Sequence, residues 1–84
     1  MQSFPIVNSS QIVLLRAHSS TGHVLDNNYQ IAVNDTQTVF SIFETLEDAL
    51  VYSQTLLKNR NDIEIVIYDW EKKVISFLRP DTNL

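Results

Sequence analysis

The hydrophobic residues of this chain fall into short runs separated by polar segments, a pattern typical of a sheet with brief connections. Apolar runs and alternating apolar and polar positions predict strands at 12–18, 29–33, 38–43, 63–68 and 74–78. Residues 29–43 are therefore expected to form a hairpin that turns at 34–36. Val24 and Leu25 offer a further short extended piece.

One segment has the periodicity of an amphipathic helix instead. Its apolar stripe recurs at three- and four-residue spacing and consists of Leu46, Ala49, Leu50, Ser53, Leu56 and Leu57. Thr45 is placed to cap the helix, because its hydroxyl can accept the amide of Asp48. Asn59 or Asn61 is expected to close the helix in a left-handed conformation, which gives a length of roughly 13 to 15 residues.

These elements predict an α+β domain. It has a mostly antiparallel sheet of about five strands in the order β-β-β-α-β-β, and one amphipathic helix on one face. Residues 1–11 are interpreted as a loosely held N-terminal arm, 12–79 as the domain and 80–84 as a tail. Three turn features are also expected: a positive φ at Gly22, stabilisation of the last turn by Asp69, and strain at Lys72 or Lys73.

The strands are apolar on both faces, although one helix covers only one face of a sheet. In the fourth strand, Ile63, Ile65 and Ile67 share one face, and the other carries Val66, Tyr68 and Trp70. Leaving such side chains exposed forfeits about 1.5 to 3 kcal/mol each, so the second face is expected to be covered. A second copy of the chain is the preferred cover, with the interface at Val66, Tyr68 and Trp70.

Two other covers are open at this point. The sheet can curl so that the first hairpin folds over it, which makes the same residues ordinary core positions. An unrelated protein is the other alternative.

Composition narrows the class of protein. The 84 residues include no cysteine, which excludes disulfides and thiolate metal sites. The net charge of −4 opposes non-specific nucleic-acid binding. No apolar run approaches the roughly 18 residues that span a bilayer, and the first residues lack a signal-peptide pattern. The prediction is a cytoplasmic protein with no membrane and no nucleic-acid partner.

The only candidate chemistry lies in the loop from His18 to Asp26. His18, His23 and Asp26 are potential metal ligands, and Ser19, Ser20 or Thr21 adds the residue types of a nucleophilic triad. No known spacing or motif surrounds them, so no cofactor, metal or catalytic residue is assigned. The sequence favours a non-catalytic binding or regulatory module that self-associates; the alternative is a small ligand-binding protein or enzyme that uses this loop.

Overall fold

The computed structural model describes residues 4–34 and 38–80, and the predicted element order is confirmed there. The remaining residues of the predicted arm, tail and 34–36 turn lie outside the described residues. The elements are β1 (Ile12–His18), β2 (Val24–Leu25), β3 (Phe40–Phe43), α1 (Leu46–Asn59), β4 (Ile63–Tyr68) and β5 (Val74–Leu78). No helix in the described ranges is long and apolar enough to cross a membrane.

Strand β1 lies at the centre of one open antiparallel sheet. It pairs with β4 on one side, where Leu14 lies opposite Ile67. On its other side, the first half of β1 pairs with β3 and the second half with β2. Strand β5 pairs only with β4 among the described strands and forms one edge of the sheet.

Helix α1 seals one face of this sheet, which is called the helix face below. Ile63, Ile65 and Ile67 are fully buried there against Ala49, in the cluster that forms the main core. The predicted N-cap is confirmed, because the Thr45 hydroxyl accepts a 3.1 Å hydrogen bond from the Asp48 amide. A single short helix is therefore enough to bury one complete side of β4.

The predicted left-handed end of the helix is wrong. Arg60 follows the last helical residue with an extended backbone, φ −132° and ψ 115°, and its amide donates to the Leu56 carbonyl. Neither Asn59 nor Asn61 has a positive φ. The chain has to enter β4 within three residues, and an extended residue directs it there at once.

The predicted hairpin over 29–43 is also wrong. Residues 29–33 form no strand; Ile31 makes one isolated bridge to Leu25, and β3 pairs with β1 instead. The cause lies in Asp26, whose carboxylate accepts the amides of Asn28 and Gln30 and so competes with strand pairing. Tyr29 consequently adopts a left-handed φ of 65°, which no regular strand tolerates.

The turn between β4 and β5 forms as predicted. The Asp69 carboxylate accepts the amides of Glu71 and Lys73 at 2.8 and 2.9 Å. Lys72 carries the expected left-handed backbone, with φ 66°, and Gly22 has a φ of 77°. The pairing register shifts between Ile67 and Tyr68, a bulge that leaves Ile75 as the additional residue on β5.

Candidate functional site

The candidate site is the sheet face opposite α1, called the far face below. Alternation along each strand and the pairing registers determine which side chains share it. They are Val13, Leu15 and Ala17 on β1, Val24 on β2, Phe40 and Ile42 on β3, Glu64, Val66 and Tyr68 on β4, and Val74 and Phe77 on β5. The far face is therefore almost as apolar as the helix face, as the sequence predicts.

Part of the far face is covered by the N-terminal arm. The Phe4 ring packs edge-on against Phe40 at 5.5 Å and against Tyr68 at 5.3 Å, measured between ring centroids. Val13 and Ala17, on the same face, are buried. Sequence reasoning missed this contact, because a lone aromatic residue before a proline in a polar segment gives no periodic signal. The arm takes over part of the covering role that the sequence assigns to a second copy.

Beside Phe4 the far face opens into a cavity of about 430 Å³. Its walls come from three sources: strand residues such as Leu15, Val24 and Phe40, the arm through Phe4, and the segment Ala32–Asn34. The segment stands beside β2 because the Ala32 amide donates to the Val24 carbonyl at 2.9 Å. A pocket of this size and apolar character is typical of small-molecule sites.

Lys72 is the one charged residue among the described residues that line this cavity. Its ammonium lies 5.9 Å from the centre of the Phe4 ring, within the range of a cation–π contact. No carboxylate of the described residues forms a salt bridge with it. The neighbouring Lys73, in contrast, lies 3.8 Å from a Glu71 carboxylate oxygen.

The rest of the far face stays open along the β5 edge. Phe77 is 52% exposed and lies opposite the half-buried Val66, and Ile75 is 41% exposed. Trp70, in the turn that precedes β5, is 44% exposed. Val74 pairs with Tyr68 and is 58% exposed. We call Val66, Trp70, Val74, Ile75 and Phe77 the β5 strip.

The three predicted interface residues therefore occupy different environments. Val66 and Trp70 belong to the β5 strip, whereas Tyr68 lies under Phe4 and lines the cavity. Ile75 and Phe77 join the strip only because β5 forms the sheet edge. The sequence could identify them as apolar residues of the last strand, but it could not place that strand at the edge.

The His18–Asp26 loop holds its polar groups in separate local contacts. His18 Nδ1 lies 2.9 Å from the Ser20 hydroxyl, and His23 Nδ1 lies 2.8 Å from that of Thr21. The Asp26 carboxylate is occupied by backbone amides. No three metal-ligating side chains converge anywhere in the described ranges.

His18 also approaches a carboxylate from another part of the chain. Its Nε2 lies 3.9 Å from Asp62, beyond hydrogen-bond distance. Asp62 is held instead by two 2.9 Å hydrogen bonds from Arg60, which lower the pKa of its carboxyl. Neither Ser20 nor His18 lines the cavity, and Ser20 is exposed. The Ser20–His18 contact therefore lies at the surface, whereas a histidine activates a serine nucleophile inside an enclosed site.

A polar cluster on the helix face was not anticipated. Arg16 is only 1% exposed, and its guanidinium donates to the Ser41 hydroxyl and to the carbonyls of Val39 and Asp26, at 2.7 to 3.4 Å. The signal was present in the sequence, because Arg16 lies two residues after Leu14 and so shares its face. Through Val39, which also lines the cavity, Arg16 anchors one wall of the far-face cavity from the opposite side of the sheet.

Two tyrosines complete the polar cluster. The hydroxyls of Tyr29 and Tyr52 share a 2.9 Å hydrogen bond, and the Tyr29 ring lies 5.9 Å from the guanidinium carbon of Arg16 and equally far from that of Arg60. Burial, followed by the hydrogen bond shared with Tyr29, raises the pKa of Tyr52 from 10.0 to about 12. The Tyr52 phenol therefore keeps its proton, and with it the hydrogen bond of the pair, across neutral pH.

No family model matches the chain, and no curated protein or solved structure matches it either. The function is therefore inferred from the geometry of the far face.

Proposed function

We propose that this protein is a small non-catalytic binding module that forms a homodimer through the far face of its sheet. The observation that carries the proposal is the β5 strip, where Ile75, Phe77 and Trp70 remain exposed after the arm has covered the neighbouring part of the same face. Exposed apolar patches of contiguous residues mark association surfaces. The cytoplasmic location that the sequence predicts remains a prediction.

The strip has the composition of an interface core. Trp70 and Phe77 are large aromatic residues, which are enriched among the residues that dominate binding energy. Charged groups flank the strip: the Glu64–Arg79 pair, 3.6 Å apart, lies beyond Val66, and Glu71 and Lys73 lie in the turn. An apolar centre with a charged rim is the usual anatomy of a protein–protein interface.

A second copy is the proposed occupant because the strip is flanked by charges of both signs. Two far faces related by a twofold axis bury the same aromatic residues on both sides, and the mixed charges at the rim are able to pair across the axis. Predominantly basic or acidic flanks would instead indicate a partner of opposite charge. Tyr68 contributes to this interface from beneath Phe4, next to Val66.

The proposal is tested by light scattering behind a sizing column over a range of concentrations. The parent protein is expected at about twice the 9.7 kDa chain mass, and Phe77→Asp or Trp70→Asp at the chain mass. Val51→Asp is the matched control, because Val51 is 58% exposed on α1 and lies outside the strip. It should remain dimeric.

A parent protein that stays at 9.7 kDa at high concentration would overturn the homodimer. Amide spectra recorded on dilution provide a second readout that requires no substitution. Concentration-dependent shifts are expected at Val66, Ile75 and Phe77. Shifts confined to α1 would contradict the proposed surface even if the mass were that of a dimer.

A further inference from the structure

The far-face cavity has the properties of a ligand site distinct from the proposed dimer contact. We infer that it binds a small apolar monocarboxylate, with the hydrocarbon part between Phe4 and β2 and the carboxylate at Lys72. Neither Ile75 nor Phe77 lines the cavity, and Tyr68 is the one described cavity residue that the proposed interface also uses. Occupation of the cavity therefore does not require the dimer contact at Ile75 and Phe77.

The apolar walls of the cavity favour a ligand with a large hydrocarbon part. Leu15, Val24, Val39 and Phe40 supply aliphatic and aromatic surface from three strands and the segment before β3, and Phe4 adds its ring from the arm. The volume of about 430 Å³ lies in the range of about 300 to 1,000 Å³ that is usual for small ligands. A polar ligand would lose its hydration here and find few hydrogen-bond partners in exchange.

The charge at the cavity selects an anionic head group. Lys72 is the only charged lining residue that the structure describes, and its ammonium contacts the Phe4 ring rather than a carboxylate. Its position is fixed by the Asp69 turn, since the Lys72 amide donates to the Asp69 carbonyl at 3.1 Å. An incoming carboxylate gains a partner there without breaking a salt bridge to any described carboxylate.

The cavity favours a ligand that carries one negative charge rather than several. Phosphate groups are typically held by several cations or by a bidentate arginine, whereas the described cavity residues offer a single lysine, which acts as a point charge. The net charge of −4 further disfavours a ligand with multiple negative charges. A monocarboxylate with a flexible alkyl or an aryl-alkyl body satisfies both the apolar walls and the single ammonium.

Amide chemical shifts on titration with decanoate provide the test, with 4-phenylbutyrate as the aromatic and decanol as the uncharged probe. Saturable shifts are expected at Leu15, Val24 and Phe40, with both acids binding more tightly than decanol. Lys72→Gln should weaken decanoate by about threefold to fivefold, the effect of one exposed ion pair, and leave decanol unchanged. Lys73→Gln is the matched control, because Lys73 already pairs with Glu71 and does not line the cavity.

A second variant tests the location. Ala32→Trp places a large ring in the cavity while it preserves the backbone bond from residue 32 to Val24, and it should abolish binding of all three probes. The amide spectrum of the free variant establishes that it is folded. Binding that survives Ala32→Trp in a folded protein, shifts that map to Ile75 and Phe77 instead, or the absence of saturable binding would each overturn the inference.

The dimer and the ligand site are separable by one further measurement. Phe77→Asp is expected to change the mass and to leave the decanoate affinity within about twofold of the parent, since Phe77 is not a cavity residue. A parallel loss of both properties would contradict the assignment of the carboxylate to an independent site.

Discussion

The two faces of the sheet are similarly apolar in sequence, yet only one of them is sealed. On the helix face, Ile63, Ile65 and Ile67 have no exposed surface, because α1 lies directly over β4. On the far face, the cover that the described residues supply comes from Phe4 in the arm and from the segment before β3. The result is a face divided into a buried part, a cavity and an exposed strip.

The difference shows that a sheet face is sealed when the element over it supplies apolar side chains along the whole length of the strand. Helix α1 presents a continuous stripe of apolar side chains over fourteen residues, so gaps along β4 are filled. The arm contributes a single ring, and a single ring leaves space beside it. Incomplete cover of this kind is where binding surfaces are found, because apolar area remains available to a partner or ligand.

The largest expected change in stability comes from a substitution on the sealed helix face. Ile65→Ala should lower the free energy of unfolding by about 3 kcal/mol, because it leaves a cavity in a fully buried position. Ile42→Ala, on the exposed side of β3, should cost less than about 1 kcal/mol. Urea unfolding at one fixed protein concentration measures both, and equal losses would contradict the contrast between the faces.

The next largest change in stability is expected at Arg16, the buried charge on the helix face that also holds Val39 of the far-face cavity. Arg16→Ala should cost about 2 to 3 kcal/mol, since it removes the guanidinium that donates to the Val39 carbonyl and to the Ser41 hydroxyl. Relief of the guanidinium's desolvation offsets part of this loss. Arg79→Ala, in which the arginine is exposed, is the control and should cost under about 1 kcal/mol.

A substitution in the N-terminal arm tests how much Phe4 contributes to the stability of the far face. Phe4→Ala should cost about 1 to 2 kcal/mol, because two edge-on ring contacts are lost. Ile6→Ala on the same arm should change nothing, since Ile6 is fully exposed. Thermal unfolding compares the two, and an equal stability of the Phe4 variant and the parent would show that the arm does not hold the far face.

The smallest effect at neutral pH belongs to the tyrosine pair on the helix face. Tyr52→Phe should cost under about 1 kcal/mol there, the value of one neutral hydrogen bond. The pH dependence is more informative. Because folding raises the pKa of Tyr52 to about 12, the folded state binds the phenol proton more tightly than the unfolded state, whose value is near 10.0.

The stabilisation from this proton is present below pH 10 and is lost as the pH rises from about 10 to 12. In Tyr52→Phe the alkaline loss of stability over that interval should be shallower, as measured by the midpoint of thermal unfolding. An unchanged slope in Tyr52→Phe would contradict the assigned pKa.

Elements that depend on local interactions could be predicted from the amino-acid sequence alone. Strands β1, β4 and β5, the helix with its Thr45 cap and the Asp69 turn were all predictable, because periodicity, capping and turn chemistry act over a few residues. So was the presence of more apolar strand surface than one helix covers.

Which segments pair or pack with one another depends on tertiary contacts. The apolar pattern of β3 suits pairing with residues 29–33 as well as with β1, and the choice depends on the Asp26 carboxylate and on contacts distant in sequence. The burial of Arg16, the packing of Phe4 and the cavity beside it have the same origin. Each joins residues separated by ten or more positions, and no local pattern encodes the free energy of such contacts.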